Sequence, residues 1–276
     1  MFSIISMYNH LYADDTIIIH VAENQQVLKS ELEEQLKELA YWFRQNKLTI
    51  NTKKCEVIFF GSKQKLKKCK EMSPVVLDEQ VLETKSKVKY LGVIFDEELT
   101  WKAHTGGIRK KVGYKLSKIK NIQCYLSERT KKQLVNALIM PYYHYCSVVW
   151  SSAAVSTLRK LESQYVRVKN IYGPERSVRT LLDKNLSLFT FKAIHKLSPS
   201  YISDKISLAN QSRQRVTRQS INNHLINDAA YRNRFSNITF KHVASSTWNS
   251  LPPNITCETS LVRFKSKIKN FYSSFN

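Results

Sequence analysis

Apolar residues crowd both halves of the stretch from Phe2 to Val21, and the polar pair Asp14-Asp15 interrupts them, which predicts a β-hairpin turning at the two aspartates. The pattern then changes. Between residues 24 and 46, Leu28, Leu32, Leu36, Leu39 and Phe43 recur at helical spacing while Glu31, Glu34, Lys37 and Glu38 fall on the other side, so an amphipathic helix is expected to pack on a sheet. Val57-Ile58-Phe59-Phe60 reads as a buried strand ending at Gly61, and Lys63 to Lys70, with five lysines, as a solvated loop. Val75-Val76-Leu77 and Val81-Leu82 flank Asp78-Glu79-Gln80 as a second hairpin, and Val88 to Phe95 reads as one further strand. From Trp101 the pattern is helical. Ile108, Val112, Leu116, Ile119 and Ile122 form one apolar stripe, flanked by Lys111, Lys115 and Lys118. Ser127-Glu128 opens another helix, and Pro141 ends or kinks it. Helices are expected at about 153–171 and 186–197 and at the C-terminal end, where Phe264, Ile268, Phe271 and Phe275 share a face. Residues 210–240 are polar and Arg-rich, a linker or a nucleic-acid arm. The fold class is therefore α+β, strands early and helices late, without an internal repeat.

Composition narrows the functional classes. Hydrophobic residues make up 42% of the 276, enough for a core and against wholesale disorder. Among the sequence's 44 Lys+Arg and 22 Asp+Glu the distribution is uneven: residues 1–60 carry a net charge of −2, and the rest carries +24. Residues 102–132 hold ten Lys or Arg against one acid, with Tyr114 and Tyr125 interleaved. Such a segment suits a surface tracking nucleic acid through its phosphates, and equally the charged outer face of a helical bundle. No run of eighteen apolar residues and no signal-peptide pattern occurs, so no membrane partner is expected and the chain reads as intracellular, nuclear or cytoplasmic. The five cysteines are scattered and form no CxxC pair, which argues against structural zinc and a disulfide framework.

The costliest feature is the adjacent pair Asp14-Asp15. Like charges repel, and strands on either side favour burial. One reading is a polar Asp-Asp turn. The other is a divalent-metal site, since Mg²⁺ prefers carboxylate oxygens with water and phosphates completing its shell.

Tyr12-Ala13-Asp14-Asp15 resembles the metal-binding palm motif of reverse transcriptases, and with Thr16 it is similar to the non-LTR (LINE-like) retrotransposon branch. Leu48-Thr49-Ile50-Asn51-Thr52-Lys53-Lys54-Cys55-Glu56 resembles the next palm motif of that branch. Val88 through Asp96 resembles its primer grip, and Leu99-Thr100-Trp101-Lys102-Ala103-His104 the start of its thumb. Trp248-Asn249-Ser250-Leu251-Pro252, followed by Phe264-Lys265, resembles a C-terminal tail of such polyproteins. The five blocks occur in the family's order and cover nearly the whole chain.

The resemblance implies a truncated reverse-transcriptase palm of hairpins plus helix (1–98), a helical thumb (99–150) and a helical C-terminal extension (151–276) with a basic linker at about 210–240. It implies Asp14 and Asp15 as ligands of Mg²⁺, or of Mn²⁺ in its place, Lys54 as a basic group near the leaving pyrophosphate with Lys53 as its competitor, and Tyr12, Leu91 and Gly92 near the primer end. Lys111, Lys115 and Lys118 would meet the duplex, and the partners would be an RNA template and DNA primer or an RNA–DNA duplex. A third metal-binding carboxylate is needed by polymerases of this kind, and no Asp or Glu precedes Asp14. The expectation is a C-terminal fragment of an RNA-directed DNA polymerase, inactive alone; the alternative is a non-catalytic basic nucleic-acid-binding remnant.

Overall fold

The computed structural model describes residues 8–13, 15–22, 24–71, 73–172, 177–209, 222–226 and 235–274, and divides into two units, Met1–Leu99 and Thr100–Asn276.

In the first unit β1 (Tyr8–Tyr12) pairs antiparallel with β2 (Asp15–Ile19), from Tyr8↔Ile19 to Tyr12↔Asp15. Helix α1 (Gln25–Gln45) starts where the Asn24 side chain accepts the Val27 N–H at 2.8 Å. It stops at a Schellman arrangement: Lys47 takes φ 56°, and Leu48 N–H reaches the Phe43 carbonyl at 2.9 Å. The predicted apolar stripe buries Leu36 and Leu39, with Ala40, against Val75, Leu77 and Leu82, and Ile18 and Phe43 pack at the margin. The expected hairpin at Asp78 forms, as β4 (Val76–Leu77) and β5 (Gln80–Val81).

Three expectations for this unit change. Lys63–Lys70 is a helix, α2, not a loop: Ser62 caps it, lysine is a good helix former, and Leu66 supplies the buried anchor. The strand expected at 57–60 is cut to β3 (Glu56–Val57), because its parallel partner β6 (Glu83–Thr84) offers two residues only. The single strand expected at 88–95 is a hairpin, β7 (Lys87–Tyr90) against β8 (Val93–Asp96), turning at Leu91 (φ 43°) and Gly92 (φ 83°). Two successive positive φ values make the type I′ turn that matches strand twist.

The second unit is helical. It runs α3 (Lys102–Ile122), α4 (Glu128–Leu138), α5 (Met140–His144), α6 (Ser147–Trp150), α7 (Val155–Tyr172), α8 (Val178–Ile194), α9 (Ser200–Ser203), α10 (Phe240–Asn249), α11 (Pro253–Thr256) and α12 (Leu261–Ser274). The expected stripe of α3 buries Ile108, Val112 and Ile119, and α3 and α4 both pack on α7. Ser127 caps α4 as anticipated, and Pro141 stands at the start of α5. Helix α8 begins eight residues earlier than the predicted 186, because Ser177 Oγ accepts the Thr180 N–H at 3.0 Å and Glu162 accepts the Val178 N–H at 2.8 Å. It ends before 197 because Lys196 is left-handed and Leu197 N–H closes back on the Lys192 carbonyl at 2.7 Å. Around Phe191 an aromatic core gathers Trp248, Phe264 and Ile268, the Phe191 and Phe264 rings stacking at 4.3 Å. On α12, Tyr272 takes the buried place expected for Phe271, which is half-buried; Phe275 lies outside the described residues. The polar stretch 210–240 also lies outside them, except for 222–226 and 235–240. Among the described residues no helix is long and apolar enough to cross a membrane.

Candidate active-site hairpin and nucleic-acid interface

The β1–β2 register decides which side chains the tip presents. Tyr12 lies opposite Asp15, and cross-strand partners share a face, so the phenol and the carboxylate project together. Both are exposed, Tyr12 at 64%. Ile18 belongs to the opposite face and packs on the α1 core, which fixes the hairpin with the Tyr12–Asp15 face outward. The turn is displaced by one residue from its predicted place. Ala13 (φ 53°) turns the chain and Asp15 already opens β2, since the Tyr12↔Asp15 pairing leaves only two residues between the strands. Asp14 itself lies outside the described residues. Below the tip, His20 Nε2 and Glu31 meet at 2.7 Å and tie the hairpin's exit to α1.

The other predicted palm residues sit on separate elements of the same unit. Lys53 and Lys54 occupy a 3₁₀ turn (Thr52–Lys54), both exposed. Leu91 and Gly92 form the β7–β8 turn. The use of Gly92 visible there is its left-handed backbone. A cross-link that the sequence gave no sign of holds the parallel pair β3–β6. Lys85 Nζ reaches Glu56 at 3.1 Å and Glu83 at 3.2 Å, and its hydrogen bonds to the two carboxylates raise its pKa. Among the described residues no group of three or more His, Cys, Asp or Glu is placed to hold a metal ion.

The basic helix α3 is more elaborate than its charge count suggests. Lys111 and Lys115 both lie over the Tyr142 ring of α5, at 5.8 and 5.2 Å from its centroid, and Lys118 lies 5.4 Å from the Tyr114 ring. Two ammonium groups are thus held near one aromatic ring. His104, inside the bundle against Trp150, has its pKa lowered by burial and then by Lys111. On α4, Arg129, Lys132, Gln133 and Asn136 line a shallow open groove. Their spacing of three, one and three residues places them on one helix face, a polar stripe legible in the sequence once the helix is known. The partnership of Tyr142 with two α3 lysines had no such signal, because it joins residues far apart in the chain.

Trp248-Asn249-Ser250-Leu251-Pro252 acts structurally. Asn249 Oδ1 accepts the Leu225 N–H at 2.8 Å and its Nδ2 donates to the Leu225 carbonyl at 2.9 Å, while Trp248 Nε1 donates to the Asn223 carbonyl at 3.0 Å. Leu251 enters the aromatic core.

Residues 2–95 match a family model described as reverse transcriptase (RNA-dependent DNA polymerase). The chain is 27% identical over 199 residues to the probable RNA-directed DNA polymerase from transposon X-element of Drosophila melanogaster, an alignment covering 69% of this chain and 21% of that protein. It is 24% identical over 200 residues to the probable RNA-directed DNA polymerase from transposon BS of the same organism (71% and 22%). To the RNA-directed DNA polymerase from mobile element jockey it is 25% identical over 173 residues (61% and 18%). The chain spans about a fifth of the length of these curated relatives. No solved structure matches it.

Proposed function

We propose that this chain provides the late palm, primer grip and thumb of an RNA-directed DNA polymerase of the non-LTR retrotransposon type. The observation that carries the reading is the outward Tyr12–Asp15 face of a tight hairpin, within the residues that match the reverse-transcriptase family.

The reaction is in-line attack of a primer 3′-hydroxyl on a nucleotide α-phosphate, catalysed by positioning and charge neutralisation. The donor chemistry fits a hard divalent cation: the Asp15 carboxylate is exposed at the tip, with Asp14 beside it in sequence, and oxygen ligands of this kind suit Mg²⁺, with Mn²⁺ as substitute. The chemistry such a cation supplies there is activation of the attacking hydroxyl and neutralisation of phosphate charge. Tyr12, on the carboxylate's face, borders the primer end. Lys54, on its exposed turn, meets the leaving pyrophosphate as a fixed positive charge or a proton donor. Leu91 and Gly92 carry the grip, and Lys111, Lys115 and Lys118 contact the phosphates of the RNA–DNA duplex. Two carboxylates at the hairpin fall short of the three such a centre needs, so the chain alone does not extend a primer.

The test is primer extension on an RNA template with Mg²⁺, comparing wild type with Asp14→Asn, beside duplex binding at several salt concentrations. The expected result is no extension by either protein and duplex binding that weakens steeply with salt, the logarithm of affinity falling by roughly 0.9 per phosphate contacted for each tenfold rise in salt. Extension by wild type that disappears in Asp14→Asn establishes the metal role and refutes the need for a carboxylate from elsewhere. Absence of salt-sensitive duplex binding refutes the thumb assignment. The basic surface of α3 also favours a second reading, a nucleic-acid-binding piece without catalytic use. It predicts that Asp14→Asn leaves Mg²⁺-linked melting unchanged, whereas the polymerase reading predicts that the linkage is lost.

A further inference from the structure

We propose that the ridge of Tyr114, Lys118 and Tyr125 binds unpaired, single-stranded nucleic acid by base stacking, with Lys111 and Lys115 over Tyr142 holding its phosphates. This rests on the nucleic-acid reading above and adds to the duplex-contacting lysines a stacking ridge for a second strand state. Tyr114 is 67% and Tyr125 86% exposed. An exposed ring on a helix whose core stripe is already filled contributes little to folding, and lysine or glutamate would serve the helix better.

The geometry follows from helical periodicity. Eight steps of about 100° along α3 and three of about 120° in the following 3₁₀ turn leave Tyr125 roughly 80° round the axis from Tyr114, and Lys118, one turn beyond Tyr114 and about 40° round, lies between them on a line slanting across one face. Eight residues of α3 and the three of the following 3₁₀ turn (Gln123–Tyr125) separate the rings by about 18 Å along the axis. Adjacent stacked bases are only ~3.4 Å apart, so the two rings receive two bases of one strand with a short tract between them. Lys118, 5.4 Å from the Tyr114 centroid, places a cation beside the first stacking position. Beside the ridge, Lys111 and Lys115 both lie near the Tyr142 ring, and a phosphate brought to them meets two like charges whose mutual repulsion it relieves.

The strand state follows from what a ring can reach. In a duplex the base faces are covered by their neighbours, and only phosphates, sugars and base edges are offered. Aromatic platforms flanked by cations are the means by which proteins hold unpaired strands, because every base has a face to stack.

The experiment compares the full chain with variants Tyr114→Ala/Tyr125→Ala, Tyr114→Phe/Tyr125→Phe and Lys111→Ala/Lys115→Ala. Fluorescence anisotropy is read with an oligothymidylate and with an RNA–DNA duplex of equal length. Both tyrosines are exposed, so the alanine variant keeps its circular dichroism and melting temperature. The expected result is a loss of about 5- to 160-fold in single-strand affinity for each ring removed, with duplex affinity unchanged and the phenylalanine variant like wild type. The lysine variant weakens both ligands and flattens the salt dependence. A 5-iodouracil-substituted strand is expected to cross-link at Tyr114 or Tyr125 on irradiation. Equal losses for duplex and single strand in the ring variant, or no loss with cross-links elsewhere, overturn the proposal while leaving the wider reading intact. Failure of wild type to bind either ligand overturns both.

Discussion

The two units of this chain bury their apolar residues to different depths. In Met1–Leu99 the core residues of α1 and its neighbours keep 2–7% exposure. In Thr100–Asn276, Val112, Val135, Trp150, Leu181, Phe191 and Phe264 have none. The cause is architectural. Two-stranded ribbons are marginal alone and cover an apolar helix face from one side, whereas α8 is packed by α6, α10 and α12 together. The ion pairs of the first unit, His20–Glu31, Arg44–Asp78 and Lys85 with two glutamates, do not close that gap. Exposed pairs of this kind contribute little. The hairpin proposed to do chemistry therefore stands on the thinner scaffold, and the surface proposed to hold nucleic acid on the thicker one.

The largest effect expected from this contrast is on global stability. Phe191→Ala removes the ring at the centre of the aromatic stack and should cost about 3–5 kcal/mol, the upper range for a buried phenylalanine. Leu36→Ala, in a core that is already partly open and can relax, should cost about 2–3 kcal/mol. Urea denaturation followed by tryptophan fluorescence and by hydrogen exchange reads the two. Equal costs break the comparison, as would amides of β1 and β2 protected as strongly as those of α8.

A second contrast concerns polar links. Asn249→Ala strips partners from both backbone groups of Leu225, which lies in the core, and should cost roughly 2–6 kcal/mol at about 1–3 kcal/mol for each group left unpaired. Lys85→Met breaks two ion pairs of the first unit yet should barely move its urea midpoint, because both lie at the surface. A larger loss in Lys85→Met than in Asn249→Ala would show that the first unit depends on its charges.

These residues also show where the sequence is informative. The stripes of α1 and α3 and the capping serines at 127 and 177 are local signals. Periodicity carried both stripes and Ser127 into correct elements, and Ser177 was passed over. The turns at Asp78 and at Leu91-Gly92 are local too, yet the second reads as continuous strand because Val93-Ile94-Phe95 prolongs the strand-like run of Val88 to Leu91. The Lys63–Lys70 segment was misread because charge density was weighed above helix propensity. At the candidate site, the hairpin and its carboxylate were legible from residue type alone. What was not legible is tertiary: the bridge from Lys85 to two glutamates, the lysine pair on Tyr142, and the hold of Asn249 on Leu225 each join residues that no local pattern links.

A smaller effect distinguishes the units by pH. Glu258 accepts from Lys267 Nζ at 2.7 Å and from the Ser260 and Thr259 N–H groups at 3.1 Å, and these bonds, that to Lys267 foremost, lower its pKa from 4.5 to about 2. A depressed carboxylate stabilises the fold fully above its ordinary pKa, and that contribution is lost as pH falls from about 5 toward 2. Melting of the second unit should therefore drop over that interval, and Glu258→Gln should flatten the profile. Burial acts at the other extreme on Tyr272, raising its pKa to about 12, so stability should fall again as pH rises through 10 toward 12. A Glu258→Gln profile parallel to wild type would place the acid sensitivity elsewhere.

The smallest expected change is at the β7–β8 turn, where stability and function are set against each other. Gly92 has φ 83° and Leu91 has φ 43°, so both turn positions are left-handed and only one holds the residue best suited to it. Gly92→Ala should cost about 1 kcal/mol. Leu91→Asn should raise stability by roughly 0.5 kcal/mol, since asparagine accepts this conformation and favours type I′ turns. A half-buried leucine at a left-handed position is consistent with a contact with the primer. If Leu91 carries the grip, Leu91→Asn melts higher yet binds a primer–template duplex less tightly, the trade-off expected where strain serves binding. If the variant melts higher and binds as well as wild type, Leu91 is only a turn residue and the grip assignment fails at this position.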